Sequence, residues 1–236
     1  MRYVTPAVWK FFTLTIFFLV SCNQNGEPVP ASPTSFPASP TSFPAKRIYV
    51  VLGSSTAAGA GPSVYDSSWV GRTIKFLPLT KAHKADSIVN LAVGGYTSFN
   101  ILPTGNANHN ITKALSYRPF AIIVNLPTND IANGASVDAQ MKNFATVADL
   151  CQQQNVELWV TTSQPRNLDS NGRAKLLELK NQVVTVFGKH SIDFWTGLAE
   201  TDGTIKTSYG AGDGVHLNNS GHRILFSRVA ERVFSK

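Results

Sequence analysis

The sequence predicts an α/β fold, a three-layer α/β/α sandwich around a five-stranded parallel sheet. Three observations predict it. Five short apolar runs recur along residues 46–236: Ile48 to Leu52, Ser87 to Leu91, Phe120 to Leu126, Val156 to Thr162, and Ile192 to Trp195. Segments of helical period separate several of them, and strand runs this apolar imply a sheet covered on both faces. Glycine, proline and small polar residues follow the runs at the places where strands must hand over to helices.

Each element has its own local reason. Val137, Met141, Phe144, Ala148 and Cys151 fall at spacings of four and three, one face of a helix that Ser136 is suited to cap. Leu176, Leu179, Val183 and Val186 repeat the pattern in the next connection. In the last helix Leu225, Val229 and Val233 lie beside Phe226, Ala230 and Phe234, an apolar stripe that would lie against the sheet. Cys151 belongs to its helix stripe and reads as a core residue; Trp159 and Trp195 read the same way.

Ahead of this domain lie two segments of different composition. Residues 1–22 open with Arg2 and Lys10 and continue into an apolar run from Phe11 to Val20, about half the length a membrane-spanning helix needs. They end in Leu-Val-Ser-Cys22, the order of a signal peptide with a small-residue cleavage site. Residues 23–45 contain Ala31-Ser-Pro-Thr-Ser-Phe-Pro37 repeated as Ala38-Ser-Pro-Thr-Ser-Phe-Pro44. Proline at that frequency blocks helices and ladders, so the segment reads as a linker, which if extended reaches roughly 70 Å at about 3.1 Å per residue. The net charge of +7 includes the two cations of the leader, and the remaining Lys and Arg are scattered. Nucleic-acid binders cluster such charge, so no nucleic-acid partner is expected. Cys22 and Cys151 are the only cysteines, and without Cys22 in the folded domain stability must come from an ordinary core.

Candidate chemistry gathers where strand runs end. Tyr49-Val50-Val51-Leu52 stops at Gly53-Ser54-Ser55-Thr56, which presents a hydroxyl where open α/β sheets bind ligands. Gly94-Gly95 follows the second run, and Pro127-Thr128-Asn129-Asp130 follows the third. Gly212-Asp213-Gly214-Val215-His216 precedes the final helix. A serine needs a base to take its proton, and the base needs a partner that fixes its tautomer. Asp213 and His216, three apart in a turn, suit that pair. The amides of Ser55 and Gly95 and the side-chain NH2 of Asn129 are the candidate oxyanion donors.

The order Gly53-Ser54-Ser55, Asn90 with Gly95, Asn129-Asp130 and Asp213-Gly-Val-His216 resembles the SGNH hydrolase superfamily, the GDSL-like esterases and lipases. The Leu-Val-Ser-Cys22 box is similar to that of bacterial lipoproteins. The resemblance implies a flavodoxin-like sheet, Ser55 as nucleophile, His216 as general base and Asp213 as its orienting partner. It implies Gly95 and Asn129 beside Ser55 in the oxyanion hole, no cofactor and no metal. It also implies lipid on Cys22 and an exported, membrane-anchored protein. The substrates it suggests are small esters, above all acetyl groups on carbohydrate; a thioesterase or lysophospholipase of the same fold is the alternative. Two positions depart from the family pattern: Ser54 stands where aspartate is usual and Pro127 where glycine is usual. Ser54 is therefore a second candidate nucleophile, and a glycan-binding lipoprotein without catalysis is a further reading. Asp130 is expected to support its loop. Tyr96 is a candidate substrate-facing aromatic, with plain packing the other reading. His83, His109, His190 and His222 lack zinc-type spacing and are expected at the surface or at caps. No Gly-x-Ser-x-Gly elbow and no Gly-Lys-Ser/Thr phosphate loop occurs.

Overall fold

In the computed structural model, which describes residues 46–235, the elements run β1 (Ile48–Gly53), α1 (Ser55–Ala58), α2 (Trp69–Phe76), β2 (Ser87–Asn90), α3 (Ile111–Ser116), β3 (Ala121–Asn125), α4 (Asn129–Ala132), α5 (Val137–Gln153), β4 (Glu157–Thr161), α6 (Ser170–Phe187), β5 (Ser191–Ile192) and α7 (Asn219–Val233). The five strands are parallel and ordered β2-β1-β3-β4-β5. The leader at 1–22 with Cys22 and the linker at 23–45 lie outside the described residues. Among the described residues no helix is long and apolar enough to cross a membrane.

Alternation along β1 shows why there are three layers. Val50 and Leu52 point into a core with Ile111 of α3, Phe144 and Val147 of α5, and Leu176 and Leu179 of α6. Tyr49 and Val51 point the other way, into a core with Trp69 and Val70 of α2 and Leu225 and Val229 of α7. The central strands β1 and β3 are buried almost throughout, as runs covered on both faces must be. The edge strand β2 is only half-buried, since among the described residues one side of it has no strand neighbour. Only Ser191–Ile192 of the fifth run pairs as strand; Phe194 and Trp195 continue as buried loop.

The helix readings hold in place and differ in detail. Ser136 caps α5, its side chain accepting from the Ala139 amide, and Phe144 and Cys151 are buried on the predicted face. Burial pushes the Cys151 thiol up to about 12, so it is an inert apolar filler. Leu176, Leu179 and Val183 are buried, but Val186 is 64% exposed, because the inward face of α6 continues from Val183 by four residues to Phe187, which packs on the same core. Two histidines expected at the surface or at caps are interior. His83 has ring nitrogens 2.8 Å from Asp86 Oδ2 and 3.1 Å from the Phe234 carbonyl oxygen, tying the end of α7 to the approach to β2. His222 is fully buried on α7.

The strand order places the site. β1 sits between β2 and β3, so the chain leaves β1 toward one face and β3 toward the other, opening a crevice at their carboxyl ends. Register aligns those ends, with Gly53 opposite Asn125 and Val51 opposite Asn90. Beneath the crevice Asn125 accepts from Trp69 Nε1 at 3.3 Å and donates to Thr161 Oγ1 at 2.9 Å, satisfying its buried amide.

Candidate active site

Ser54 closes β1, its amide donating to the Asn125 carbonyl at 3.1 Å, and α1 starts at the next residue. That geometry turns the Ser54 side chain inward, where it is 2% exposed, and leaves Ser55 half-buried at the mouth of the crevice. Ser55 is the first residue of α1, so its amide N–H has no acceptor within the helix.

His216 meets Ser55 across the rim. Its Nε2 lies 2.8 Å from Ser55 Oγ over a sequence separation of 161, and its Nδ1 lies 2.6 Å from Asp213 Oδ2. An ionised carboxylate only accepts, so Nδ1 carries the proton and Nε2 is free to accept from the serine hydroxyl. Asp213 Oδ1 also accepts from the His216 amide at 2.8 Å and the Val215 amide at 2.9 Å. Desolvation pushes the Asp213 carboxyl up, but the His216 amide and imidazole and the Val215 amide outweigh it and bring the group down to about 2. The carboxylate therefore stays charged throughout the range in which proteins work. Gly61 permits this approach: at φ +102 its missing Cβ would fall 2.1 Å from the Leu217 carbonyl oxygen and 2.9 Å from His216 Cβ.

The remaining predicted residues lie on the adjacent loops of the same rim. The loop after β2 is tied to the end of β1 by the Val93 amide, which donates to the Gly53 carbonyl at 3.1 Å. Gly95 has φ +82, and a Cβ there would meet nothing within 4 Å, so backbone conformation rather than space requires the glycine. The Asn129 amide donates through Nδ2 to the Tyr96 carbonyl at 3.0 Å, which sets it beside Gly95. Asp130 supports the loop from below: it accepts from the Ser98 amide at 2.9 Å and the Ser98 hydroxyl at 2.5 Å, while burial raises its carboxyl against those bonds. Tyr96 packs its ring edge-on against His109 and onto the core, so its contribution to the rim is its carbonyl. Ser54 Oγ makes no hydrogen bond to His216.

What sequence reasoning missed is the loop after β4. Gln164, 1% exposed, accepts from Thr56 Oγ1 at 3.0 Å and donates to the Val215 carbonyl at 3.1 Å, so one side chain joins the residue after Ser55 to the residue before His216. Arg166 Nη1 donates to Asn129 Oδ1 at 3.1 Å and Thr128 Oγ1 at 3.2 Å. The Asn167 amide donates to the Gly214 carbonyl at 2.8 Å. The available signal was position: polar residues directly after an apolar strand run in a parallel sheet belong to the same rim as Ser55. Behind the serine loop, His222 Nδ1 accepts from the Trp69 amide at 3.1 Å, and its Nε2 turns toward the Ala60 carbonyl without completing a hydrogen bond. Burial holds this imidazole down to about 4, with the Ala60 carbonyl opposing and the His216 and Arg72 charges adding to it. Among the described residues no group of His, Cys, Asp and Glu side chains is arranged to hold a metal ion.

Residues 51–224 match the model of the GDSL-like lipase/acylhydrolase family. No curated protein matches the chain. Solved structures share the fold at low identity. A GDSL-like lipase from Bacteroides thetaiotaomicron superposes with a TM-score of 0.62 at 17% identity, over 78% of this chain and 86% of the other. The psychrotrophic esterase EstA from Pseudoalteromonas sp. gives 0.60 at 18%, over 80% and 97%. An acetyl xylan esterase gives 0.61 at 15%, over 79% and 100%.

Proposed function

The chain belongs to the GDSL-like lipase/acylhydrolase family and is a carboxylic ester hydrolase, and from that premise we propose that Ser55, His216 and Asp213 form its catalytic triad and remove short acyl groups, acetate from carbohydrate above all. The observation that carries the triad is the 2.8 Å approach of His216 Nε2 to Ser55 Oγ, two groups that only the fold brings together. In the reaction Ser55 Oγ attacks the acyl carbonyl carbon as its proton passes to His216 Nε2. The carbonyl oxygen takes the negative charge and is held by the Ser55 and Gly95 amides and the second N–H of Asn129 Nδ2. Breakdown expels the alcohol, which takes the proton from the imidazolium, and leaves an acyl-serine. Water then attacks the acyl-enzyme with His216 again accepting the proton, and the acid and free serine result. Asp213 holds the imidazole in the required tautomer and offsets its charge while it is protonated.

The short-acyl part of the proposal rests on the rim. Gly94 and Gly95 are exposed and a Cβ at either would meet nothing within 4 Å, so these two residues bring no wall along which a long acyl chain could lie. The fold shared with an acetyl xylan esterase is consistent with acetate on carbohydrate. Replacing Ser55 by alanine tests the triad: hydrolysis of 4-nitrophenyl acetate should fall to the uncatalysed background, and a phosphonate ester should label Ser55 in the parent and nothing in the variant. Retained hydrolysis would reject the nucleophile and leave the binding reading. Rates on acetyl, butyryl and decanoyl esters test the acyl size, and a preference for decanoyl would favour the thioesterase or lysophospholipase reading. Cys22 as a lipidated anchor is a separate part of the proposal, supported by the leader and the box before it. Labelled palmitate should enter the parent and not Cys22→Ala, and the variant should leave the membrane fraction.

A further inference from the structure

We propose that Arg166 is a positioning residue of the oxyanion hole, which aims and polarises the Asn129 amide; the inference rests on the reading of Asn129 as an oxyanion donor. A side-chain amide can turn over at little cost unless both its ends are held by groups of fixed character. Here both are. Arg166 has only donors, and it reaches Asn129 Oδ1 at 3.1 Å; the Tyr96 carbonyl can only accept, and it holds one N–H of Asn129 Nδ2 at 3.0 Å. Turning the amide over would set NH2 against a guanidinium and oxygen against oxygen. The second N–H of Nδ2 is thereby left in one direction.

The same guanidinium nitrogen also donates to Thr128 Oγ1 at 3.2 Å, so Arg166 grips two consecutive residues of one loop. That grip falls just after Pro127, which has no N–H to contribute to the loop's own hydrogen bonding. A charged donor on the oxygen of an amide also draws electron density from its nitrogen, which makes the remaining N–H a stronger donor to a developing oxyanion. The half-buried setting of Arg166 limits screening by water. Among the described residues Arg166 makes no side-chain ion pair within 4 Å; the Asp213 carboxylate acts on it only through space.

The test is a double-mutant cycle on 4-nitrophenyl acetate, a neutral ester that offers the guanidinium no counter-charge. Arg166→Gln should lower kcat roughly 10- to 100-fold while KM moves by less than about threefold, since a displaced donor is lost chiefly in the transition state. Arg166→Lys, which keeps a charged donor for Asn129 Oδ1 and loses the grip on Thr128, should recover part of that loss. In an Asn129→Ala background, Arg166→Gln should change kcat by less than about threefold. A full, multiplicative loss in that background overturns the inference, as does a parent-like kcat in Arg166→Gln or an effect confined to KM. If Arg166→Gln does not fold, the same cycle with Arg166→Lys decides it. If Asn129→Ala alone leaves kcat at the parent value, the oxyanion assignment falls and takes this inference with it; a loss in Asn129→Ala with independent action of Arg166 defeats the inference alone.

Discussion

Ser55 and His216 reach their contact from unlike surroundings. Ser55 sits at the end of a central strand, one residue beyond an amide bonded to β3, above a buried layer of Asn125, Thr161 and Trp69. His216 rides on a turn that contains no helix and, apart from the bridge between Gly210 and Leu217, no sheet pairing. Its partner Asp213 has a side chain 48% exposed. A hydroxyl at the end of a sheet strand is located by the sheet itself, whereas an imidazole on a turn must be held by contacts brought from elsewhere. The loop after β4 supplies them through Gln164 and Asn167, and the serine side supplies Gly61.

The largest effect that would break this comparison is on the base. His216→Ala should reduce kcat for 4-nitrophenyl acetate by about 10⁴-fold or more, with little change in the thermal midpoint, because His216 itself belongs to neither core. Asp213→Asn comes next. The amide could still accept from the His216 and Val215 amides, but it presents no charge to the imidazolium. We expect a loss of roughly 10²-fold in kcat, less than for an enclosed carboxylate since water already screens this one. A loss as large as that of His216→Ala would mean that Asp213 matters far more than its exposure suggests.

Gln164→Ala sharpens the comparison at the link between the two sides. It leaves Thr56 Oγ1 and the Val215 carbonyl without their partner in a buried place, at about 1–3 kcal/mol of stability by chemical denaturation. It should also cost roughly tenfold in kcat as the base turn loses its tie to the serine side. Loss of stability with full activity would show that Asn167 and Gly61 hold the turn unaided.

His222 lies behind the serine loop and predicts a pH effect on folding. The unfolded imidazole titrates near 6.5 and the folded one at about 4, so between those values only the unfolded chain takes up the proton. Stability should fall as pH drops from about 6.5 to about 4, by at most about 3 kcal/mol, and this contribution should level off below that. The difference between parent and His222→Gln in urea unfolding at each pH isolates it; parallel profiles would mean that His222 takes a proton in the folded state.

These residues also mark how far the sequence could be read. Strand runs, the Ser136 cap and the α5 stripe were legible because each signal is contained in a few neighbouring residues, and the five parallel strands followed from them. The Ser55, Asp213 and His216 set was legible because serine, carboxylate and imidazole at strand ends and in a turn carry a chemistry of their own. Gln164 and Arg166 were not, since a glutamine or arginine means little until the fold shows that its partners are Thr56, Val215 and Asn129. His83 and His222 were misplaced for the same reason: their burial depends on Phe234 and Trp69, about 150 residues away in the chain. Val186 failed differently, because a step of three and a step of four from Val183 look alike in sequence, and it is Phe187, four on, that packs on the core.

The smallest expected effect concerns Ser54, where the departure from the family pattern left two serines in contention. Its structural contribution is made by the backbone, an amide that donates to the Asn125 carbonyl and a carbonyl that accepts from the Ala58 amide, and alanine keeps both. Its hydroxyl makes no bond to the base and lies 2% exposed beneath the mouth of the crevice, where an acyl carbon could not reach it. Ser54→Ala should therefore hold kcat within about threefold of the parent and stability within about 1 kcal/mol. A loss of a hundredfold would assign that hydroxyl a part in the transition state and would require the serine loop to shift by a residue on binding substrate. A parent-like rate, set against the collapse expected of His216→Ala, would place the demand for accuracy at the contact between Ser55 and the turn rather than in the strand end that carries both serines.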